Sequence, residues 1–245
     1  MMFPADHFSV IARRYAAYRP RYPAPLVERL VESPAAVAWD VGCGNGQLSV
    51  ALAERGARVI ATDLAQSQLD AAAAHPRVEY RCAPAEASGL LDASVDLVVA
   101  AQAAHWFDWP RFVAEAGRVA RPGALVALVS YGNPQLDGDA GRELEWYRTE
   151  IVADYWPAGR EHVENAYRDL VLPWPAVEPP AIAMVTAWTR DELFGYVSSW
   201  SATARLVASE GSAAFDALGE RLAATWPDGE RREVRWPLTL RFARR

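Results

Sequence analysis

The chain has 245 residues, 51% of them hydrophobic and 23% charged, the composition of a globular protein with a substantial core. Its formal net charge of -6 disfavours a nucleic-acid backbone as partner, because phosphate binding needs an excess of basic side chains. No stretch approaches the roughly 20 apolar residues of a membrane span, and the opening MMFPADHFSVIARRYAAY carries charges where a signal peptide would be apolar. Cys43 and Cys82 have no metal-site spacing, so free thiols in a cytoplasmic protein are expected, with no metal site.

In chain order, RPRYP cannot be helical, because Pro20, Pro23 and Pro25 forbid it, and it is expected to cross the surface extended. VAWDVG (37–42) is a short apolar run ending in glycine, which suits a buried parallel strand. QLSVALAERG reads as a helix stopped by Gly56, and ARVIATD as a second strand ending at Asp63. QSQLDAAAAH is expected to be a helix closed by Pro76. VEYRC and VDLVVAA read as the third and fourth strands, RFVAEAGRVA as a helix stopped by Pro122 and Gly123, and ALVALVSY as the fifth strand. This alternation from residue 37 to 131 predicts consecutive βαβ units and a parallel sheet covered on both faces.

The pattern changes after Gly132. RELEWYRTEIVADYW looks helical, LPWPAVEPP is a proline-rich connection, and AIAMVTAW reads as a sixth strand. Helical stretches over 190–208 and 212–225 follow, then a final strand in VRWPLTLRFA. Seven of the ten tryptophans lie beyond residue 133, either packing this half together or lining an apolar pocket.

Gly42, Gly44 and Gly46 stand at alternate positions directly after the first strand. Glycine loses the most backbone freedom on folding, and a tight turn needs only one or two. Three point to a ligand that the backbone must approach closely. In an open parallel sheet ligands sit beyond the carboxyl ends of the strands, where this loop lies. The spacing is G-x-G-x-G. Gln47 follows Gly46, so the third glycine of the dinucleotide fingerprint G-x-G-x-x-G is missing. Asp63 ends the second strand 21 residues after Gly42, where a carboxylate can accept both hydroxyls of a ribose or simply cap the strand. Loop and acid together point to an adenosine ligand, and the glycine spacing disfavours NAD.

These segments resemble the class I S-adenosylmethionine-dependent methyltransferases over about residues 36–131. WDVGCGNG is similar to that family's first motif, and VIATDLAQSQL to its second strand with the ribose-binding acid. CAPAEASGLLDASVDLVVAAQAAHWFD is similar to the adenine-binding and post-strand-four segments, and RVARPGALVALVSYG to the approach to strand five. YAAYRPRYP, AAHWFD and SSWSATARL resemble the branch that includes trans-aconitate methyltransferases.

The resemblance implies a Rossmann-like α/β fold with a seven-stranded, mostly parallel sheet and helices on both faces. It implies a single domain over 1–245: an N-terminal cap (1–35), a cofactor-binding core (36–132), a helical acceptor-site insertion (133–180) and a C-terminal part completing the sheet (181–245). The cofactor implied is S-adenosylmethionine, with S-adenosylhomocysteine as product. Asp40 and the loop of Gly42, Cys43, Gly44, Asn45 and Gly46 would hold its methionine portion and Asp63 its ribose. Leu64 would pack on the adenine, the Ala85 amide and Glu86 would meet the adenine edge, and Gln102 would lie beside the sulfonium. Tyr15 or Arg19 would contact the cofactor as the N-terminal segment closes over it. Pro84 stands where many relatives carry an acid for the adenine amine, so Glu86 or a main-chain carbonyl must serve. Ala124 replaces the second glycine of a frequent Pro-Gly-Gly.

Methyl transfer needs nucleophile and methyl brought into line, and a base only where the acceptor is protonated at neutral pH. AQAAHWFDWP stands where amine-directed relatives carry an Asn-Pro-Pro-Tyr type run, which turns the expectation to small-molecule oxygen, with carbon next. His105 is the candidate catalytic residue, as orienter or base, set against a purely structural hydrogen-bonding role. For a carboxylate acceptor, Arg19, Arg148, Arg160 and Arg168 are the candidate clamps. A cofactor-binding protein without turnover and an NAD-dependent oxidoreductase are the rival readings. The expected partner is a small-molecule acceptor, with neither nucleic acid nor membrane; the sequence leaves the oligomeric state open.

Overall fold

A computed structural model describes residues 18–245; residues 1–17 of the expected N-terminal cap, Tyr15 among them, lie outside the described residues. The chain divides into two compact units. The larger holds residues 21–132, 161–183 and 238–245, and the smaller the rest.

The larger unit opens with helix α1 (Ala24–Leu30), which takes in Pro25, expected to forbid helix: in the first turn a proline lacks only an N–H that would have no helical partner. Then come β1 (Val37–Val41), α2 (Gln47–Glu54), β2 (Arg58–Asp63), α3 (Gln66–Asp70), β3 (Val78–Cys82), β4 (Val95–Ala101), α4 (Trp109–Val119) and β5 (Ala120–Tyr131). The sheet has seven strands in the order β3-β2-β1-β4-β5-β9-β6, with β6 at Ala176–Val177 and β9 at Leu238–Arg244. The first five strands run parallel, and β9 pairs antiparallel with both β5 and β6. The order reverses between β1 and β4, so β1 and the loop after it sit at the switch point, where doubly wound sheets bind ligands.

Strand alternation sorts the core between the two faces. Val98, Ala100, Val126 and Leu128 pack with Phe112, Ala116 and Val119 of α4. Leu97, Val99, Leu125 and Ala127 pack with Leu26 and Leu30 of α1 and Leu48 and Leu52 of α2. Both faces are therefore apolar, which is why the strands read as nearly continuous hydrophobic runs.

The smaller unit contains α5 (Gly138–Trp146), which passes into a single wide turn at Tyr147–Ile151. It also contains β7 (Met184–Trp188), α7 (Arg190–Ser198), α8 (Ser201–Glu210), α9 (Ala213–Thr225) and β8 (Arg232–Trp236); a short α6 (Arg160–Glu164) lies between the segments. Thr189 and Glu192 form a reciprocal capping box that starts α7. Trp188, Tyr196, Trp200 and Trp236 form an edge-to-face cluster, and Trp156 joins it through Trp200.

Several expected elements differ. AIAMVTAW does not enter the main sheet: β7 pairs antiparallel with β8 in a separate two-stranded ribbon. The expected final strand is split at Pro237, so that only β9 returns to β5. The helix after β2 ends at Asp70, well short of Pro76. The helix over 190–208 is interrupted at Ser199 and Trp200. Helix α4 ends at Val119 and the chain passes straight into β5, with Gly123 at φ 84 inside the strand.

Candidate active site

The three glycines have different tasks. All have positive φ, at 69, 55 and 80 for Gly42, Gly44 and Gly46, a region that costs other residues about 1–2 kcal/mol. A side chain at Gly42 would overlap Ala103, and one at Gly46 would overlap the Tyr80 ring and hydroxyl. At Gly44 only Gln68 Oε1, 4.0 Å away, comes near the same position among the described residues. The outer two glycines thus serve packing within the protein, while the middle one leaves open the surface beside it.

The loop is tied to β2. The Gly42 and Cys43 amides donate to the Thr62 carbonyl at 2.8 and 2.9 Å. The Gly44 amide donates to Asp63 Oδ2 at 2.8 Å, and the Ala65 amide to Asp63 Oδ1 at 2.8 Å. Asp63 is half-buried and Leu64, next to it, is 69% exposed, an apolar surface beside a carboxylate. Gly46 is the N-cap of α2, so the amino end of that helix faces the loop.

Asp40 lies beneath the loop, 1% exposed. Ser49 Oγ donates to its Oδ2 at 2.6 Å, whereas Oδ1 is buried with no hydrogen-bond partner among the described residues. Burial pushes the carboxyl up to about 7; the Ser49 hydroxyl opposes this and the nearby Asp63 charge adds to it. Burial also pushes the Cys43 thiol up, as do the neighbouring Asp40 and Asp63 charges, so the thiol stays protonated.

On the other side of β1, Gln102 follows β4 at φ 56, a left-handed conformation rare for a non-glycine residue. Its amide donates to the Val129 carbonyl at 2.8 Å and its Nε2 to the Tyr131 carbonyl at 2.9 Å. Ala85 is buried and Glu86 half-buried; Glu86 Oε1 accepts the Asp108 amide at 2.8 Å. Glu115 accepts the Ser88 amide at 2.8 Å and its hydroxyl at 2.5 Å, and two nitrogens of Arg118 grip the same carboxylate. The Arg118 guanidinium holds the Glu115 carboxyl below its usual range. These two carboxylates pin the segment that carries Ala85 to the start and middle of α4.

His105 sits in a short 3-10 turn, Ala104–Trp106. Its Nδ1 is 2.8 Å from the hydroxyl of Tyr167, which is fully buried. Ala166 and Tyr167 both have left-handed backbones, at φ 54 and 53. Beside them Trp106 is 59% exposed, with its ring 4.9 Å from that of His105.

The structure thus brings Asp40, Gly42, Cys43, Gly44, Asn45, Gly46, Asp63, Leu64 and Gln102 to the carboxyl ends of β1, β2 and β4, with Ala85 and Glu86 on the segment after β3. Arg19 belongs to the smaller unit, where it donates to the Ser199 carbonyl at 3.3 Å and lies over the Tyr196 ring. Of the other candidate arginines, Arg148 is paired with Glu145 one helical turn away, Arg160 lies on Trp156 and donates to Asn133, and Arg168 is exposed. Two residues that the sequence reading did not single out are Gln68 and Tyr167. No helix among the described residues is long and apolar enough to cross a membrane.

The fit to the cofactor is supported by chemistry on the loop itself. Asp40 Oδ1 needs a donor, Asp63 retains lone pairs for hydroxyls, Leu64 offers an exposed apolar surface, and the space at Gly44 admits no side chain without obstructing it.

A methyltransferase-domain family model matches residues 39–128, from β1 into β5. The solved structure of a protein from Anaeromyxobacter dehalogenans, assigned to the type II methyltransferases, is similar with a TM-score of 0.84 and 42% identity, covering 93% of this chain and 98% of that one. A Dictyostelium discoideum protein assigned to the methyltransferases is 29% identical over 246 residues, covering 96% of this chain and 93% of its own length. The malonyl-[acyl-carrier protein] O-methyltransferase of Serratia marcescens is 37% identical over 116 residues, 44% of each chain. With a doubly wound sheet, a glycine loop at its switch point and a structural relative aligned almost end to end, the chain belongs to the class I S-adenosylmethionine-dependent methyltransferases.

Proposed function

We propose that the enzyme methylates an oxygen, carboxylate or hydroxyl, of a small organic acid or metabolite. The cofactor supplies an electrophilic methyl on a sulfonium whose departing thioether is neutral, so the protein's task is alignment. In this reading Asp63 accepts the ribose hydroxyls with the lone pairs left after the Gly44 and Ala65 amides. Asp40 Oδ1 takes a donor of the methionine portion, and Leu64 covers one adenine face. The Ala85 amide and Glu86 meet the adenine edge, and Gln102 borders the sulfonium end.

The observation that carries the acceptor reading is the pairing of His105 Nδ1 with the buried Tyr167 hydroxyl at 2.8 Å, beyond the carboxyl end of β4. This contact orients the imidazole, and in this reading Nε2 is the nitrogen that meets the acceptor. The tautomer decides the chemistry. If the phenol donates to Nδ1, Nε2 carries the proton and donates to a carboxylate, which is already ionised at neutral pH and needs no base. If Nδ1 donates to the phenol, Nε2 is a base able to take the proton of a hydroxyl. A relative that is an O-methyltransferase by name supports oxygen as the accepting atom.

The test is a panel of small carboxylic acids and hydroxy compounds incubated with methyl-labelled S-adenosylmethionine, with the products identified by mass. Label appearing as an ester or ether supports the proposal. Label on nitrogen or carbon overturns it, and S-adenosylhomocysteine binding with no product across any acceptor class favours a binding protein.

A further inference from the structure

We infer that Gln68 is a further cofactor-binding residue, whose side-chain carbonyl accepts a hydrogen bond from a ribose hydroxyl and so shares the diol with Asp63. This rests on the reading that Asp63 holds the ribose. Gln68 lies in α3, five residues beyond Asp63. Its Oε1 is buried and has no hydrogen-bond partner among the described residues. Buried polar atoms in folded proteins almost always have partners, and each exception calls for a cause. On the same short helix Gln66 has one, donating to Asp70 at 2.8 Å.

The location supplies the cause. Gln68 Oε1 is 4.0 Å from the point a side chain at Gly44 would occupy, and the Gly44 amide is bonded to Asp63 Oδ2 at 2.8 Å. Two acceptors, one neutral and one charged, therefore flank the same glycine. The Asp63 carboxylate already receives two backbone amides, so what this corner can still take is donors. A vicinal diol offers two adjacent O–H donors and satisfies both residues at once. A phosphate or carboxylate offers only acceptors and would oppose both. The pair therefore selects an unmodified ribose and rejects one that is phosphorylated or lacks a hydroxyl.

The experiment is calorimetric titration of the full chain with S-adenosylhomocysteine and with its 2′-deoxy and 3′-deoxy derivatives. The proteins are the parent, Gln68→Leu, Gln68→Met and Asp63→Ala. Both Gln68 variants should bind S-adenosylhomocysteine roughly 3- to 10-fold more weakly, the range for a neutral buried hydrogen bond. That loss should vanish for one of the two deoxy derivatives. Without ligand, both variants should unfold at or above the parent's midpoint, because the apolar side chain removes an unsatisfied acceptor. Parent-like binding by the Gln68 variants while Asp63→Ala is weakened overturns the assignment of Gln68 alone. An equal loss against both deoxy derivatives, or a lowered ligand-free midpoint, also overturns it. If Asp63→Ala itself binds as the parent does, the placement of the ribose fails and the role of Gln68 with it.

Discussion

The Gly44 amide and the Asp63 carboxylate meet at 2.8 Å, joining the loop after β1 to the last residue of β2. The same carboxylate holds the Ala65 amide, so it organises the start of the following segment as well. Asp63 is thus a structural partner of the glycine loop in its own right.

Replacing Asp63 with alanine should act twice. The two amides lose their acceptor, and so, on the proposed reading, do the ribose hydroxyls. Binding of S-adenosylhomocysteine should weaken by roughly 1.5–3 kcal/mol, the range for hydrogen bonds to a charged group, as read by calorimetry. Amide exchange at Gly44 should quicken in the ligand-free variant. Parent-like affinity would remove Asp63 from the site.

Asp40 gives a pH signature. Its carboxyl titrates at about 7 in the folded protein against 3.8 for the ordinary group, because burial and then the Asp63 charge outweigh the Ser49 hydroxyl. Between those two pH values the folded state binds more protons than the unfolded one, so stability falls as pH rises through this window. The loss is complete above the higher value. Asp40→Asn removes the titration and keeps an acceptor for Ser49. The difference in melting temperature, variant minus parent, should therefore climb between pH 4 and pH 7 and level off above. The variant should also bind S-adenosylhomocysteine about tenfold more weakly, having lost a charged acceptor. A flat difference curve would show that Asp40 titrates as an ordinary carboxyl.

Much of this was legible in the chain because the signals are local. The runs that became β1, β2, β4 and β5 are nearly continuous in apolar residues because both faces of the sheet are covered. The glycine loop and Asp63 announce themselves because their backbone and charge requirements admit few other residues. The pairing of β7 with β8 was not legible. AIAMVTAW has the pattern of a sheet strand, and only its distant partner Arg232–Trp236 decides which sheet it joins. Gln68 was hidden inside the polar run QSQLD, where an amide reads as solvated, and its burial depends on where α3 lies beside Gly44. Tyr167 was hidden for the opposite reason. Alanine and tyrosine both disfavour left-handed backbone, so nothing in NAYRD marks the two consecutive residues that adopt it.

The contact of Tyr167 with His105 separates the acceptor classes once a substrate is in hand. With a hydroxyl acceptor, His105→Ala should lower kcat by roughly 10²–10⁴, the range for losing an acid–base group, and the pH–rate profile should lose its acidic limb. With a carboxylate acceptor the same change should mainly raise KM. Tyr167→Phe keeps the ring but removes the hydroxyl that fixes Nδ1, so it should move the same constant in the same direction by a smaller factor. Neither constant changing in either variant would leave His105 as scaffold.

The sharpest division of labour is within the glycine loop itself. Gly46→Ala would put a methyl group into the Tyr80 ring, whose nearest carbons lie 2.8 Å from it, on a backbone at φ 80. Left-handed strain of about 1–2 kcal/mol and overpacking of about 1–3 kcal/mol should combine in a clear fall in the ligand-free melting temperature. Gly44→Ala carries comparable backbone strain at φ 55 but meets only Gln68 Oε1 at 4.0 Å, so its ligand-free melting temperature should fall less. Its effect on binding should be the greater, because on the proposed reading its methyl group takes space that the cofactor needs. Melting curves with and without saturating S-adenosylhomocysteine measure both quantities, since the ligand-induced rise reports affinity for the folded state. Gly46→Ala should melt early yet retain most of that rise, provided the loop refits around Tyr80. Gly44→Ala should melt nearer to the parent and lose the rise. If Gly44→Ala instead kept the parent's full ligand-induced rise, the open surface at the middle glycine would not be the cofactor's place.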